Sequence, residues 1–109
     1  MELQGLPFAA VDWENVPSET HPGERGSASS RTFESGGLRL RMVEYSAGYR
    51  ADHWCQKGHV VLCLHGEFIS EHEDGSTHRL RPGMVYIVGD NIAPHRSSTE
   101  KGAKLFIVD

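Results

Sequence analysis

Short apolar stretches separated by turn residues run through most of this chain. Residues 38–45, LRLRMVEY, alternate apolar and basic side chains, and residues 59–66 and 84–88 are short runs rich in valine and leucine or isoleucine. Glycine turn signals separate them, the clearest being Asp74-Gly75. A period of two is typical of strands, and such turns are typical of hairpins. We therefore predict an all-β domain of about eight short antiparallel strands, either a barrel or a sandwich.

The first 28 residues do not follow this pattern. Prolines, glycines and serines interrupt every long period, although Leu6, Phe8, Val11, Trp13 and Val16 are apolar. A freely solvated tail has no reason to carry so many apolar side chains. We predict that residues 1–28 form an arm that packs on the barrel or on a partner subunit, and that residues 29–109 form the barrel.

The composition narrows the classes of function. A length of 109 residues suits one domain. The net charge is −4 and the eleven basic residues are scattered, so the sequence predicts no basic surface that would bind nucleic acid. No apolar run approaches the length that a bilayer requires, and the start of the chain does not resemble a secretory signal. Two cysteines do not form a disulfide framework. We expect a soluble, cytoplasmic protein whose partner is a small molecule.

Metal-binding side chains cluster between Gly48 and Gly66. His53, Cys55 and His59 fall within seven residues, and imidazole and thiolate are ready ligands of transition metals. On a strand, His53 and Cys55 would point to the same face, and Asp52 and Trp54 to the opposite one. We predict a site for one divalent transition metal (iron, zinc, nickel or copper).

This region resembles the cupin family of small jelly-roll barrels. The first cupin motif reads G, five residues, H-x-H, three or four residues, E, six residues, G. Here the matching residues are Gly48, His53, Cys55, His59 and Gly66. The second motif, a glycine and a turn before a histidine, resembles the stretch from Gly83 to His95. Within the cupins, the run of Asp52, His53, Trp54 and Cys55 is similar to a group of small single-domain members without an assigned reaction.

The resemblance implies a double-stranded β-helix, a metal held by His53, Cys55, His59 and His95, and a homodimer. Cys55 stands in place of the second histidine of the motif, and His59 in place of its glutamate. Three neutral histidines and a thiolate carry one negative charge, as three histidines and a glutamate do. The exchange leaves the charge of the site unchanged and makes its ligands softer.

Three functions remain open at this point. The first is a metal-dependent enzyme, of the oxygenase, isomerase or lyase type, that acts on a small molecule. The second is a module that binds or senses a metabolite or a metal without turnover. The third is a barrel that binds no metal. Its catalytic residues are unknown. The residues that could line a pocket are Tyr86, Glu44, Tyr45 and Arg41. His65, His72 and His78 lie in polar, turn-rich surroundings, which predicts solvated surface positions.

Overall fold

The computed structural model describes residues 3–109, and nine strands account for most of its regular structure. They are β1 (Ser18–Pro22), β2 (Ser27–Ser35), β3 (Leu38–Tyr45), β4 (His59–Gly66), β5 (Phe68–His72), β6 (Thr77–Leu80), β7 (Val85–Val88), β8 (His95–Ser98) and β9 (Ala103–Val108). One turn of 3₁₀ helix spans Trp13–Asn15. The described residues contain no helix long and apolar enough to cross a bilayer. The prediction of an all-β domain is confirmed.

The strands form two antiparallel sheets. One has six strands in the order β1-β2-β3-β9-β4-β7, and the other has three in the order β6-β5-β8. Two isolated bridges reach between the loop before β4 and β8, Arg50 with Ser98 and Cys55 with His95. The molecule is therefore a jelly roll of two facing sheets, and strand pairing does not close it into a continuous cylinder.

The hydrophobic core lies between the sheets. Its fully buried side chains include Phe68 of the small sheet and Val61, Cys63 and Leu105 of the large one. In β9 every second residue is buried, as expected for a strand with one face on the core. The inward faces of β4, β5, β8 and β9 therefore set which polar side chains can reach the interior.

The N-terminal region is more regular than the sequence predicts. Residues 18–22 form the edge strand β1, which pairs with β2, and β2 already begins at Ser27. The sequence pattern predicts no strand within residues 1–28, and it misses β1 because every residue of β1 is exposed and an edge strand without a buried face shows no apolar alternation. The rings of Trp13 and Phe106 lie 6.3 Å apart in an edge-on contact. The division of the chain at residue 28 stays a prediction.

Candidate metal site

Three side chains of types that can bind a metal lie close together between the two sheets. Donor atoms of Cys55, His59 and His95 all lie within 4.8 Å of one another. His59 begins β4 in the large sheet, His95 begins β8 in the small sheet, and Cys55 lies in the loop before β4. The site therefore joins the two halves of the fold.

Backbone pairing places Cys55 beside His95. The Cys55 amide donates to the His95 carbonyl oxygen over 2.7 Å, and the His95 amide donates back to the Cys55 carbonyl oxygen over 3.0 Å. Directly opposed residues of an antiparallel pair send their side chains to the same face. A hydrogen bond with His95 lowers the pKa of the Cys55 thiol, and the same contact raises the pKa of His95. A lower pKa favours the thiolate, which is the form in which a cysteine binds a metal.

Gly58 determines how His59 enters the site. Its amide donates to Asp90 Oδ1 over 2.7 Å. A β-carbon at this position would lie 2.6 Å from the Asp90 backbone nitrogen, so only glycine permits the approach. β4 then continues with Val61 and Cys63 buried on the same face as His59.

The two histidines face each other. His59 Nε2 and His95 Nε2 are 2.8 Å apart, and His95 Nδ1 lies 2.7 Å from the Ala93 carbonyl oxygen. That carbonyl can only accept, so Nδ1 of neutral His95 carries the proton and Nε2 presents a lone pair. Two nitrogens bound to one ion at the usual length of about 2.0–2.1 Å lie roughly 3 Å apart, close to the separation here.

A buried nitrogen without a partner supports the fit of a metal. His59 Nδ1 makes no hydrogen bond to any described residue, yet it lies 3.6 Å from Asp109 Oδ2. If Nε2 of His59 binds a metal, its proton moves to Nδ1 and faces the Asp109 carboxylate. Metal-binding histidines commonly donate their other ring proton to a carboxylate in this way.

The electrostatics of the group suit a cation. Burial lowers the pKa of His59 to about 4, so its ring is neutral and free to bind metal at neutral pH. Two neutral histidines and the Cys55 thiolate carry one negative charge, the same as the set predicted from the sequence. A divalent ion would leave the site with one positive charge.

Asp109 is the functional candidate that sequence reasoning missed. Its side chain is only 1% exposed and accepts hydrogen bonds from Arg39 and Arg41, at 2.8 and 3.0 Å. Burial alone would raise the pKa of this carboxyl, but the two arginines hold it below its usual range. The available signal was alternation, since Asp109 continues the inward series of Leu105 and Ile107.

His53 lies apart from the three donors. Its side chain is 76% exposed, and its Nδ1 is 2.7 Å from Asp52 Oδ1. The prediction of a shared face for His53 and Cys55 assumed a regular strand, but residues 52–53 form a bend and only Cys55 joins a bridge. The structure thus brings together three of the four predicted ligands, and metal binding by any of the four stays a prediction.

Trp54 packs within its own chain. The guanidinium carbon of Arg96 lies 4.3 Å from the centre of the Trp54 ring. Arg96 is held by Glu71, and Glu71 also binds Arg50. These contacts connect β5 and β8 to the loop that contains Cys55.

The other sequence candidates occupy several environments. Tyr86 borders the site, with its hydroxyl 3.3 Å from His59 Nε2, and burial raises the pKa of this phenol. Tyr45 stacks on Tyr49 at 4.4 Å, Glu44 is exposed and 3.7 Å from Lys104, and Arg41 binds Asp109 as described. Of these four residues, Tyr86 is therefore the one best placed to touch a ligand at the donor group.

A cavity of about 1240 Å³ opens beside the donor group. Its wall includes His59, His95, Tyr86 and Asp109, together with Ser70, His72 and His78 from the small sheet. His78 is exposed as predicted, whereas His72 is half-buried. A cavity of this size can hold a small molecule next to the donors.

Solved structures place this fold among the cupins. No family model and no curated protein sequence matches the chain. The polyketide cyclase RemF from Streptomyces resistomycificus is similar at a TM-score of 0.77 and 17% identity, over 94% of this chain and 78% of that one. Ectoine synthase from P. lautus gives a TM-score of 0.75 and 20% identity, over 93% and 76%. A cupin-2 domain from Rhodospirillum rubrum is similar at a TM-score of 0.73 and 16% identity, over 94% of this chain and 74% of that one. The chain therefore has the cupin fold.

Proposed function

We propose that this protein is a small metal-dependent cupin enzyme that acts on a small molecule. The observation that carries the proposal is the convergence of Cys55, His59 and His95 donors within 4.8 Å beside a cavity. Two of the similar folds are, by name, a synthase and a cyclase, so this architecture supports catalysis on small molecules elsewhere.

The number of ligands favours catalysis over a structural role. Three protein donors leave at least one coordination position open for water or substrate, whereas a closed structural zinc site uses four. His53 is the predicted residue that could serve as a fourth ligand, but its side chain is exposed and lies apart from the three donors. When bound, a divalent ion supplies Lewis acidity, and with a redox-active metal it also supplies redox chemistry.

The chain's own residues would hold and orient these groups. Cys55 and His95 are fixed by their shared backbone hydrogen bonds, and His59 is backed by Asp109. The Tyr86 hydroxyl stays protonated at neutral pH and can donate a hydrogen bond to a substrate oxygen near the donors. The reaction type, whether oxygenase, isomerase or lyase, follows from the metal and the substrate.

A binding or sensing module is the second candidate. One observation favours it: the two carboxylates that border the cavity, Asp90 and Asp109, are already engaged by the Gly58 amide and by arginines. Both carboxylates already accept hydrogen bonds, which makes them weaker general bases than carboxylates without partners. The cytoplasmic location, the homodimer and membership of the Asp-His-Trp-Cys group also stay predictions.

Metal analysis of tag-free protein tests the proposal. We expect about one transition metal per chain after reconstitution, and less than about a tenth would contradict the proposal. His95→Ala should abolish binding, whereas His65→Ala, at an exposed position on β4, is the matched control. His53→Ala should leave both binding and the absorption spectrum of the cobalt form unchanged. A loss of metal in His53→Ala would instead indicate a four-ligand site.

Turnover separates the two candidates. The reconstituted protein is incubated with a metabolite mixture, and oxygen uptake and loss of each compound are followed. Conversion that disappears in His95→Ala supports the enzyme. Saturable binding of a compound without conversion supports the module.

A further inference from the structure

The inward face of the small sheet carries a second polar cluster next to the donor group. His72 and His78 have ring centres 4.7 Å apart, and His72 lies 6.3 Å from His95. Ser70 pairs directly with His78 across β5 and β6, and His72 pairs with His95 across β5 and β8. Directly paired residues share a face, and so do residues two apart in a strand. Ser70, His72 and His78 therefore form one patch, which borders the cavity.

One member of the patch lacks a hydrogen-bond partner. Ser70 is 2% exposed, and its hydroxyl oxygen is near the Tyr86 phenol but forms no hydrogen bond of ordinary geometry within residues 3–109. An unsatisfied buried hydroxyl costs free energy, and in native proteins such a group calls for an explanation. A ligand in the cavity would supply the missing partner.

The chemistry of the patch favours an anion. Imidazole N–H and serine O–H groups can all donate hydrogen bonds towards the cavity. The nearby acids are engaged elsewhere: Asp74 accepts from the Ser76 amide and hydroxyl, and Glu71 binds Arg96 and Arg50. The patch itself thus presents hydrogen-bond donors and no carboxylate, which favours a negatively charged group as its ligand.

The remaining wall suggests the rest of the ligand. Val88 shares a face of β7 with Tyr86, and it lines the cavity together with Met84, Leu80 and Ile92. Ile92 is 76% exposed and Met84 37% exposed, so apolar surface is available next to the polar patch. A molecule with a negative end and an apolar body would satisfy both surfaces.

We propose that Ser70, His72 and His78 form a subsite for the carboxylate group of a small, partly apolar acid. The inference rests on the proposed function only in naming this acid as the substrate class. The subsite itself consists of residues outside the metal donor group. It therefore binds carboxylate in metal-free protein as well.

The probes are hexanoate, hexanamide and hexylamine, which share an alkyl chain and differ in charge. Each is titrated into isotope-labelled protein, metal-free and zinc-loaded, and binding is followed by NMR. We expect hexanoate to bind about tenfold or more tightly than hexanamide, with the largest shifts at Ser70, His72 and His78, because hydrogen bonds to a charged group are the stronger ones. Hexylamine should bind most weakly.

Variants identify the residues responsible. His72→Gln/His78→Gln should lose about tenfold in hexanoate affinity, and Ser70→Ala a smaller factor. The matched control is His21→Gln/His65→Gln, which changes two exposed histidines elsewhere and should bind as wild type. If the double variant does not fold, His78→Gln alone decides, because His78 is exposed.

Several results would overturn the subsite. They are equal binding of hexanoate and hexanamide, unchanged affinity in the folded His72/His78 variant, and no saturable hexanoate binding up to its solubility. A second zinc equivalent that disappears in this variant would show a metal site instead. Failure of the proposed function looks different, because the protein would then retain no metal while metal-free protein still preferred hexanoate.

Discussion

Asp109 links the candidate ligand His59 to two arginines. Its buried carboxylate is held by Arg39 and Arg41 and lies 3.6 Å from His59 Nδ1. This arrangement keeps an acceptor ready for the ring proton that metal binding would move to Nδ1. Arg39 and Arg41 point inward although the alternation of residues 38–45 would equally allow them to face solvent.

Asp109→Asn tests this role. We expect metal affinity to fall by about 10- to 100-fold, since a neutral amide orients and polarises the His59 ring less well than a carboxylate. Affinity is measured by competition with a chelator of known strength, at a temperature where circular dichroism shows folded protein. Glu44→Gln, an exposed acid of β3, is the control and should bind as wild type. Unchanged affinity in Asp109→Asn would contradict the role.

The two cysteines should differ in reactivity. A hydrogen bond with His95 lowers the pKa of Cys55, whereas burial raises the pKa of Cys63. A lower pKa gives more thiolate at a given pH, so alkylation of Cys55 by iodoacetamide should reach half its maximal rate at a lower pH than that of free cysteine. Peptide mass spectrometry of metal-free protein should find Cys55 modified and Cys63 intact. Bound metal should slow the reaction, and faster modification of Cys63 would contradict the assignment.

At the scale of elements, sequence reasoning succeeded where a strand has one buried face. The predicted strand runs around residues 38–45, 59–66 and 84–88 correspond to β3, β4 and β7. It failed for β1, whose side chains are all exposed, and for residues 52–55, whose assumed alternation is interrupted by a bend at residues 52–53. Alternation of apolar and polar residues predicts a strand with one buried face, and neither of these segments has a buried face.

Arg31 holds the N-terminal segment onto the large sheet. Its guanidinium donates to the carbonyl oxygens of Trp13 and Val16, over 2.9 and 2.6 Å. Arg31→Met keeps the aliphatic stem and removes both hydrogen bonds. The half-buried Val16 carbonyl then loses its guanidinium partner, whereas the Trp13 carbonyl still accepts from the Val16 amide, so the free energy of unfolding should fall by about 1–3 kcal/mol. Urea denaturation measures the change.

Arg79→Met provides the control for this prediction. Arg79 is 68% exposed and lies 3.9 Å from Glu67, a contact worth about 0–1 kcal/mol. Equal losses in both variants would mean that the carbonyl contacts of Arg31 contribute nothing specific.

At the scale of the molecule, the donor group bridges two sheets that strand pairing leaves separate. His59 belongs to the six-stranded sheet and His95 to the three-stranded one. Cys55 belongs to the loop between β3 and β4, which is the third segment that contributes a donor. A metal bound by these side chains would connect all three segments in the folded state only.

Metal should therefore stabilise the whole fold. A ligand specific for the native state contributes about 2.7 kcal/mol at a free concentration one hundred times its Kd. We expect the melting temperature of wild type to rise with added zinc in a scanning experiment. His65→Ala should respond equally and His95→Ala should not respond. A rise in His95→Ala of the same size would point to binding elsewhere.

The sequence by itself determined the strand pattern, the all-β class and the residue types capable of binding a metal, because these follow from alternation, turn chemistry and ligand chemistry within short stretches. Only the tertiary structure decided which of those residues meet. An isolated β-bridge pairs Cys55 with His95, which lies forty residues later in the chain. His53 lies on a bend and is exposed to solvent. The pairing of β9 with β4 places Asp109 beside His59. Such meetings depend on register and on the packing of one sheet against the other, and neither is encoded in the spacing of residues along a single strand.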